Sequence, residues 1–361
     1  MKNLHVAEDI SAAFTISASF YTDSDYFEQS KKKIFSRCWQ FTGDDENVKV
    51  PGQIYPFTLL DGFLNEPLIF SRDKSDKLHC LSNVCTHRGN ILIDGNCMEN
   101  NIRCRYHGRR FGLDGKFISM PEFDEVKDFP NEKDNLAVVP FEKWFNFLFV
   151  SLDPVSPLKN FAGEMFTRMA WLPLNEFRYD PYRSRDYLVK AHWALYCENY
   201  LEGFHIPFVH NSLNNALDYS GYSTELFRFS SLQTGISKSG TDIFELPADS
   251  PDYGKKISAY YFWIFPNMMF NFYPWGLSIN IVKPLNPELT KVSFLTYVYD
   301  ESKLDTGAGS ELDKVEREDE AIVENVQRGI KSAFYDKGRY SVKRETGTHH
   351  FHSLICDFMN S

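Results

Sequence analysis

Two short segments hold the residue types from which a metal centre is built. Cys85-Thr86-His87-Arg88-Gly89 and Cys104-Arg105-Tyr106-His107-Gly108 together read C-x-H, sixteen intervening residues, then C-x-x-H. Each half offers one thiolate and one imidazole, with a glycine close behind that lets a tight loop aim both ligands the same way. A zinc ion could take such a set in one tetrahedron, although its usual spacing leaves ~2–4 residues between the first two ligands. A two-iron, two-sulfide cluster can divide the ligands instead, cysteines on one iron and histidines on the other. Imidazole ligation raises its reduction potential above that of all-cysteine clusters. Two loops that each give one Cys and one His suit this second arrangement better. Either half alone reads as a buried cysteine beside a loop histidine; together they read as a metal site.

Such a cluster moves one electron at a time and does not itself activate dioxygen. An oxygenase needs a second metal with open coordination positions, as in Fe(II) held on one face by two histidines and a carboxylate. The run Glu198-Asn199-Tyr200-Leu201-Glu202-Gly203-Phe204-His205-Ile206-Pro207-Phe208-Val209-His210 fits this requirement. Glu202 and His205, three apart, would share a helical face. Pro207 would end that helix, and His210 would fold back towards His205.

The carboxylate must come from elsewhere. Within 311–330, Leu312, Val315, Ile322 and Val326 mark a helical stripe whose missing member is Asp319. An acid within an apolar face needs a partner, because burial without one is costly or forces protonation, and a metal cation is one such partner. Glu318 and Glu320 point off the stripe and read as solvated charges. The run His349-His350-Phe351-His352 has only Glu345 as a carboxylate at useful spacing, so hydrogen bonding within the fold is expected of it.

The chain resembles the α subunits of Rieske non-haem iron oxygenases over nearly all its length. The two Cys/His loops carry the resemblance, with the Glu202, His205, His210 string and the late Glu318-Asp319 pair. It implies a [2Fe-2S] cluster with Cys85 and Cys104 on one iron and His87 and His107 on the other. It implies a mononuclear Fe(II) on His205, His210 and Asp319, with Glu202 as the electron bridge between centres. It further implies a homotrimer in which His107 of one chain faces Glu202 of the next. Cys97, in Gly95-Asn96-Cys97 where glycine is common, reads as a loop filler.

Ring-hydroxylating members usually carry aspartate at the bridge. Glu202, the surrounding Glu198-Asn199-Tyr200 and the late Val326-Gln327-Arg328-Gly329 are more similar to the branch of choline monooxygenase, carnitine monooxygenase and betaine demethylases. Ala191-His192-Trp193-Ala194 departs from that branch's usual Asn-Trp-Lys. The resemblance implies hydroxylation of a C–H bond next to a quaternary or tertiary nitrogen, giving N-demethylation or choline-type oxidation. Electrons would come from NAD(P)H through a separate flavin/iron-sulfur reductase, since no G-x-G-x-x-G follows a strand here. The alternatives are an aromatic-ring hydroxylating dioxygenase, a Rieske electron-transfer protein without oxygenase activity, and a zinc-bearing binding module. The aromatic-dense stretch 260–275 could supply a cation–π cage, or be sheet core throughout.

These centres need elements to hold them. The chain has 361 residues, enough for two or three units, and is 43% hydrophobic and 24% charged. A net charge of −10 argues against nucleic acid or an anionic membrane as partner. No apolar run approaches the ~20 residues of a membrane span, and no export signal opens the chain. Seven cysteines at irregular spacing do not form a disulfide framework. A cytoplasmic α+β enzyme is expected. Residues 1–38 form an N-terminal helical segment on the catalytic domain, with a helix at 18–36 capped by Ser24 or Asp25. Residues 39–155 form a small all-β Rieske domain with a hairpin at Asp114-Gly115. Residues 156–361 form a helix-grip catalytic domain, its strands near 185–189, 258–265, 267–273, 277–284 and 291–300 and its helices at 193–205 and 311–331.

Overall fold

The computed structural model describes residues 3–210, 218, 219, 221–240, 242–304, 306 and 312–361. One compact unit lies within Trp39–Pro154, and a second is built from the chain on either side of it.

The first unit is all β. Strands β1 (Gln40–Asp44), β2 (Gln53–Leu59), β3 (Glu66–Arg72), β4 (Leu78–Ser82), β5 (Cys97–Met98), β6 (Ile102–Arg103), β7 (Arg110–Phe111), β8 (Phe117–Ser119), β9 (Phe141–Trp144) and β10 (Phe147–Val150) form three antiparallel sheets. Their orders are β1-β10-β9, β4-β3-β2-β5 and β6-β7-β8. Successive strand residues point to opposite faces, and β3 uses both. Leu68 and Phe70 enter one core with Val48, Cys80 and Leu148, while Ile69 enters the other with Leu81, Ile102 and Phe111. Cys85 and Cys104 belong to that second core, so both cluster loops spring from packed ground. The Asp114-Gly115 turn joins β7 and β8.

The second unit grips its helices with a seven-stranded antiparallel sheet. Its strands are β11 (Arg178–Val189), β12 (Ser223–Leu226), β13 (Ser230–Ile236), β14 (Ile257–Ile264), β15 (Met268–Tyr273), β16 (Gly276–Asn286) and β17 (Leu289–Val298), in the order β11-β17-β16-β15-β14-β13-β12. The sequence reading does not find β12 and β13, because Ser230-Ser231-Leu232-Gln233-Thr234 carries no apolar alternation, yet all five of these residues are buried. The longer helices are α1 (Ser24–Lys33), α2 (Leu158–Arg168), α3 (Trp193–Tyr200), α4 (Leu312–Gly329) and α5 (Thr346–Asn360), with single helical turns at Ser19–Thr22 and Ile206–Val209. Asp23, not Ser24 or Asp25, caps α1, accepting the Asp25 N–H at 2.8 Å. No described helix is long and apolar enough to cross a membrane.

Two helical expectations change. Helix α3 stops at Tyr200, so Glu202 and His205 do not share a continuous helix, and Pro207 opens a separate turn, Ile206–Val209, instead of ending one. The apolar stripe of α4 is inward only at its start, where Val315 is half-buried. Glu316, Val323 and Gln327 are buried, whereas Ile322 and Val326 are 37% and 45% exposed; the Leu312 side chain lies outside the described residues. That inward face is polar because α3 and its approach supply partners. Gln327 Oε1 accepts the His192 N–H at 2.8 Å, and Glu316 Oε2 accepts the Tyr196 O–H at 2.5 Å. Asp319 sits at the border of this face, half-buried.

Candidate metal centres

The two cluster loops have the same backbone design. Gly89 N donates to Cys85 O at 3.0 Å and Cys85 N to Asn90 O at 2.8 Å; Gly108 N donates to Cys104 O at 3.1 Å and Cys104 N to Arg109 O at 2.8 Å. Gly89 and Gly108 both hold left-handed φ angles, +71° and +75°, which a side chain would strain. Each loop therefore turns back on itself with its Cys buried and its His at the rim. Cys85 and Cys104 touch through their thiols, and burial pushes the Cys85 thiol up. The Asn90 amide approaches Cys104 Sγ at 3.7 Å.

The His87 and His107 rings lie 4.8 Å apart, inclined at 71°. Burial and the neighbouring His107 pull His87 below the ordinary imidazole range, towards the neutral form that ligates metals. His107 is exposed. Arg109, 2% exposed, anchors the second loop: its guanidinium lies over the Phe117 ring at 5.0 Å and donates to Asp134 Oδ1 at 2.5 Å. The cysteines thus pair with each other, and so do the histidines. Among the described residues this quartet does not gather its donors within 4.8 Å, as a single tetrahedral ion requires. The donor set fits two bridged irons.

His205, His210 and Asp319 do meet that limit. Gly203 lets the chain after α3 pass Tyr222, since a Cβ there would lie 2.7 Å from its ring. Beyond it, Glu202 folds onto the turn: Oε2 accepts the Phe204 and His205 N–H groups, and Oε1 lies 2.7 Å from His205 Nδ1. His205 Nε2 then faces Asp319 Oδ1 at 3.5 Å, and His210 Nε2 faces the same oxygen at 3.0 Å. The imidazole rings are 5.1 Å apart at 79°. Asn199 Nδ2 donates to Asp319 Oδ1 at 2.6 Å.

Glu318 corrects the sequence expectation. It is no solvated charge, because its Oε2 lies 2.7 Å from His210 Nδ1. Each histidine therefore meets a carboxylate through Nδ1 and turns Nε2 inward, the arrangement that orients metal-binding imidazoles. Burial opposes a charge on His210, yet Asp319 and Glu318 raise its proton affinity above the ordinary value. The same field draws a metal cation.

A cleft of about 790 Å³, mouth included, opens beside these three residues. One wall is a row across the sheet, Gln233 opposite Tyr261 and Tyr261 opposite Asn271, with Tyr273 two residues further on. The stretch 260–275 is thereby divided. Tyr261, Asn271 and Tyr273 line the cleft, while Tyr260, Phe262, Trp263, Phe270 and Phe272 are buried elsewhere. Trp275 stacks on Tyr273 at 5.2 Å and so stiffens that ring. Tyr200 donates to Asn271 Oδ1 at 2.7 Å, tying α3 to the sheet. Tyr196, Asn199, Tyr222 and Glu316 also line the cleft and escaped the sequence reading. The one available signal was helical spacing: Tyr196 is three before Asn199, and Glu316 three before Asp319.

The late histidines bond within the fold. His352 Nδ1 meets the Tyr340 hydroxyl at 2.5 Å, and its Nε2 lies 3.1 Å from Glu198 and 3.2 Å from the Tyr21 hydroxyl. His349 Nε2 meets Ala7 O at 2.8 Å, and His350 is half-buried. Glu198 is the carboxylate in contact with His352, while Glu345 accepts the Ser341 N–H at 2.6 Å and acts on His352 through its charge.

Residues 168–361 match the family described as ring hydroxylating alpha subunit (catalytic domain), and residues 38–130 match the Rieske [2Fe-2S] domain. Choline monooxygenase, chloroplastic, of Arabidopsis thaliana is 32% identical over 365 residues, spanning 95% of this chain and 82% of that protein. The carnitine monooxygenase oxygenase subunit of Escherichia coli (strain K12) is 25% identical, spanning 95% and 93%. The crystal structure of the quaternary ammonium Rieske monooxygenase CntA with L-carnitine shares the fold at a TM-score of 0.78 and 24% identity, over 99% of this chain and 100% of that one.

Proposed function

Because this chain belongs to the ring-hydroxylating α-subunit family of Rieske oxygenases, we propose that it hydroxylates a C–H bond beside the nitrogen of a quaternary or tertiary amine, using dioxygen. The family's two cofactors are a [2Fe-2S] cluster and a non-haem iron: the cluster supplies single electrons, and the ferrous ion binds and activates dioxygen. Cys85 and Cys104 would hold one cluster iron, His87 and His107 the other, and His205, His210 and Asp319 the mononuclear iron. Hydroxylation of an N-methyl carbon would give a carbinolamine that releases formaldehyde and leaves the demethylated amine, whereas choline-type oxidation would place the hydroxyl on the carbinol carbon, one bond further from nitrogen, and the resulting diol would lose water to give the aldehyde.

The observation that carries this reading is the lining of the cleft. Tyrosine rings and carboxylates border it, with no Lys or Arg among its described lining residues. Ring faces and anionic oxygens attract a cation that carries no N–H to donate. An electron carrier would have no use for the three-donor site.

Electron delivery supports a trimer. The exposed His107 and the half-buried Glu202 are suited to meet across a boundary between copies, with Glu202 keeping His205 in register on its own side. A separate NAD(P)H-linked reductase would load the cluster. The test combines metal content with turnover. The oxygenase reading expects about three irons per chain, against about two for a carrier. Supplied with a Rieske-type reductase, the protein should couple NADH oxidation to choline or a betaine, releasing aldehyde or formaldehyde. Stimulation by arenes alone overturns the amine assignment.

A further inference from the structure

Glu316 is the carboxylate in this cleft that the metal-site geometry does not use. It is 3% exposed and lies one helical turn before Asp319 on α4. Its Oε2 accepts the Tyr196 hydroxyl at 2.5 Å, while its Oε1 is buried with no hydrogen-bond partner. The other two acids of the lining are engaged, Asp319 by Asn199 and His210, and Glu202 by His205. A buried carboxylate oxygen left alone is costly, and such an oxygen in a cleft points to a ligand. Burial, reinforced by Asp319, raises the Glu316 carboxyl above the usual range, opposed by the Tyr196 hydrogen bond; a cation beside it favours the ionised form.

The charge inventory names the ligand's sign. No described lining residue is Lys or Arg. A substrate carboxylate entering here would meet acids with no lysine or arginine among the described lining residues to offset it. A trialkylammonium group would meet Glu316 and the rings of Tyr196, Tyr261 and Tyr273.

Resting on the amine reading above, we propose that Glu316 selects the substrate by charge: its free Oε1 receives the ammonium end, so the cleft takes compact cationic amines and refuses amines that also carry a carboxylate. Choline has the favoured chemistry, and carnitine the disfavoured.

The experiment measures binding to the iron-loaded enzyme by calorimetric titration with choline, its neutral carbon isostere 3,3-dimethylbutan-1-ol, and L-carnitine. Wild type should prefer choline to either by about tenfold or more. In Glu316→Gln, choline binding should weaken by about ten- to a hundredfold while the neutral isostere changes by less than about twofold. Its KM for choline should rise more than its kcat falls. The visible spectrum of the cluster and the melting temperature of that variant check that the fold is intact. Should it not fold, Glu316→Asp serves: it keeps the charge but withdraws it, and should lower choline affinity while leaving the isostere alone. Equal loss of both ligands, an unaltered preference for choline, or carnitine binding as well as choline overturns the proposal. Failure of wild type to bind any charged amine instead removes the amine reading itself, before a variant is made.

Discussion

Glu318 Oε2 and His210 Nδ1 stand 2.7 Å apart, joining α4 to the one-turn helix that ends at Val209. The adjacent Asp319 reaches the other nitrogen of the same ring at 3.0 Å. Two successive carboxylates therefore hold one imidazole from both sides, one orienting it and one beside it in the proposed metal shell.

Glu318→Ala should accordingly weaken Fe(II) binding at the mononuclear site by about 10–100-fold, the usual effect of losing such a partner. The cluster spectrum should not change. Iron titration of the chelated protein, followed by content analysis, checks this; unaltered Fe(II) affinity would return Glu318 to a solvated charge.

Glu202 makes a different prediction. It steadies His205 but is proposed chiefly as the bridge for electrons. Glu202→Ala, loaded with excess Fe(II), should keep both metal centres and lose substrate-coupled oxygen consumption. Cluster reduction in single-turnover mixing should still occur. Full turnover in that variant would remove Glu202 from the electron path.

What could be read early was whatever is local in sequence. Cys85 with His87, Cys104 with His107, and His205 with His210 lie close enough along the chain for spacing to expose them. The stripe that points to Asp319 faces inward only at its start: Val315 lines the cleft, Ile322 and Val326 are exposed, and the inward residues Glu316 and Gln327 are polar. Their partners, Tyr196 and the His192 backbone, lie more than a hundred residues earlier, where no periodicity points to them. Glu318 was misjudged for the same reason, since His210 is distant in sequence. Gly203 is needed where the chain passes Tyr222, a close approach made only in the folded chain.

The lower edge of the catalytic unit depends on Arg168 at the end of α2. It donates to Asp252 Oδ2 at 2.6 Å and to Glu225 Oε2 at 2.9 Å, and Asp252 is 2% exposed. Burial alone would raise the Asp252 carboxyl, but Lys255, Arg168 and Tyr260 hold it below the usual range. Stability from this depressed acid is present above the ordinary carboxylate pKa and is lost as pH falls through the folded value. Arg168→Met should cost about 1–3 kcal/mol at neutral pH, because it leaves the buried Asp252 carboxylate with only Lys255 and Tyr260 as partners. Arg168→Met with Asp252→Asn should recover part of it. Chemical denaturation of the single and double variants measures both, and additive losses would show that the pair does not interact.

His192 carries the opposite kind of titration. It caps α3, accepting the Ala194 N–H at 3.3 Å through Nδ1, and it lies among the rings of Phe20, Tyr21 and Phe27 with Nε2 unpartnered. Burial pulls its pKa from 6.5 to about 3. The unfolded chain therefore takes a proton below pH 6.5 that the folded chain refuses. Stability from this group is intact above 6.5 and falls by up to about 1.4 kcal/mol per pH unit below it, until the folded value is reached. Asparagine can also cap a helix and does not titrate. His192→Asn loses ring contacts at every pH, so the readout is the slope and not the offset. The difference in melting temperature between wild type and variant should be constant above about pH 7 and shift towards the variant between pH 6.5 and 5. A difference independent of pH across that range would mean that His192 is protonated within the fold.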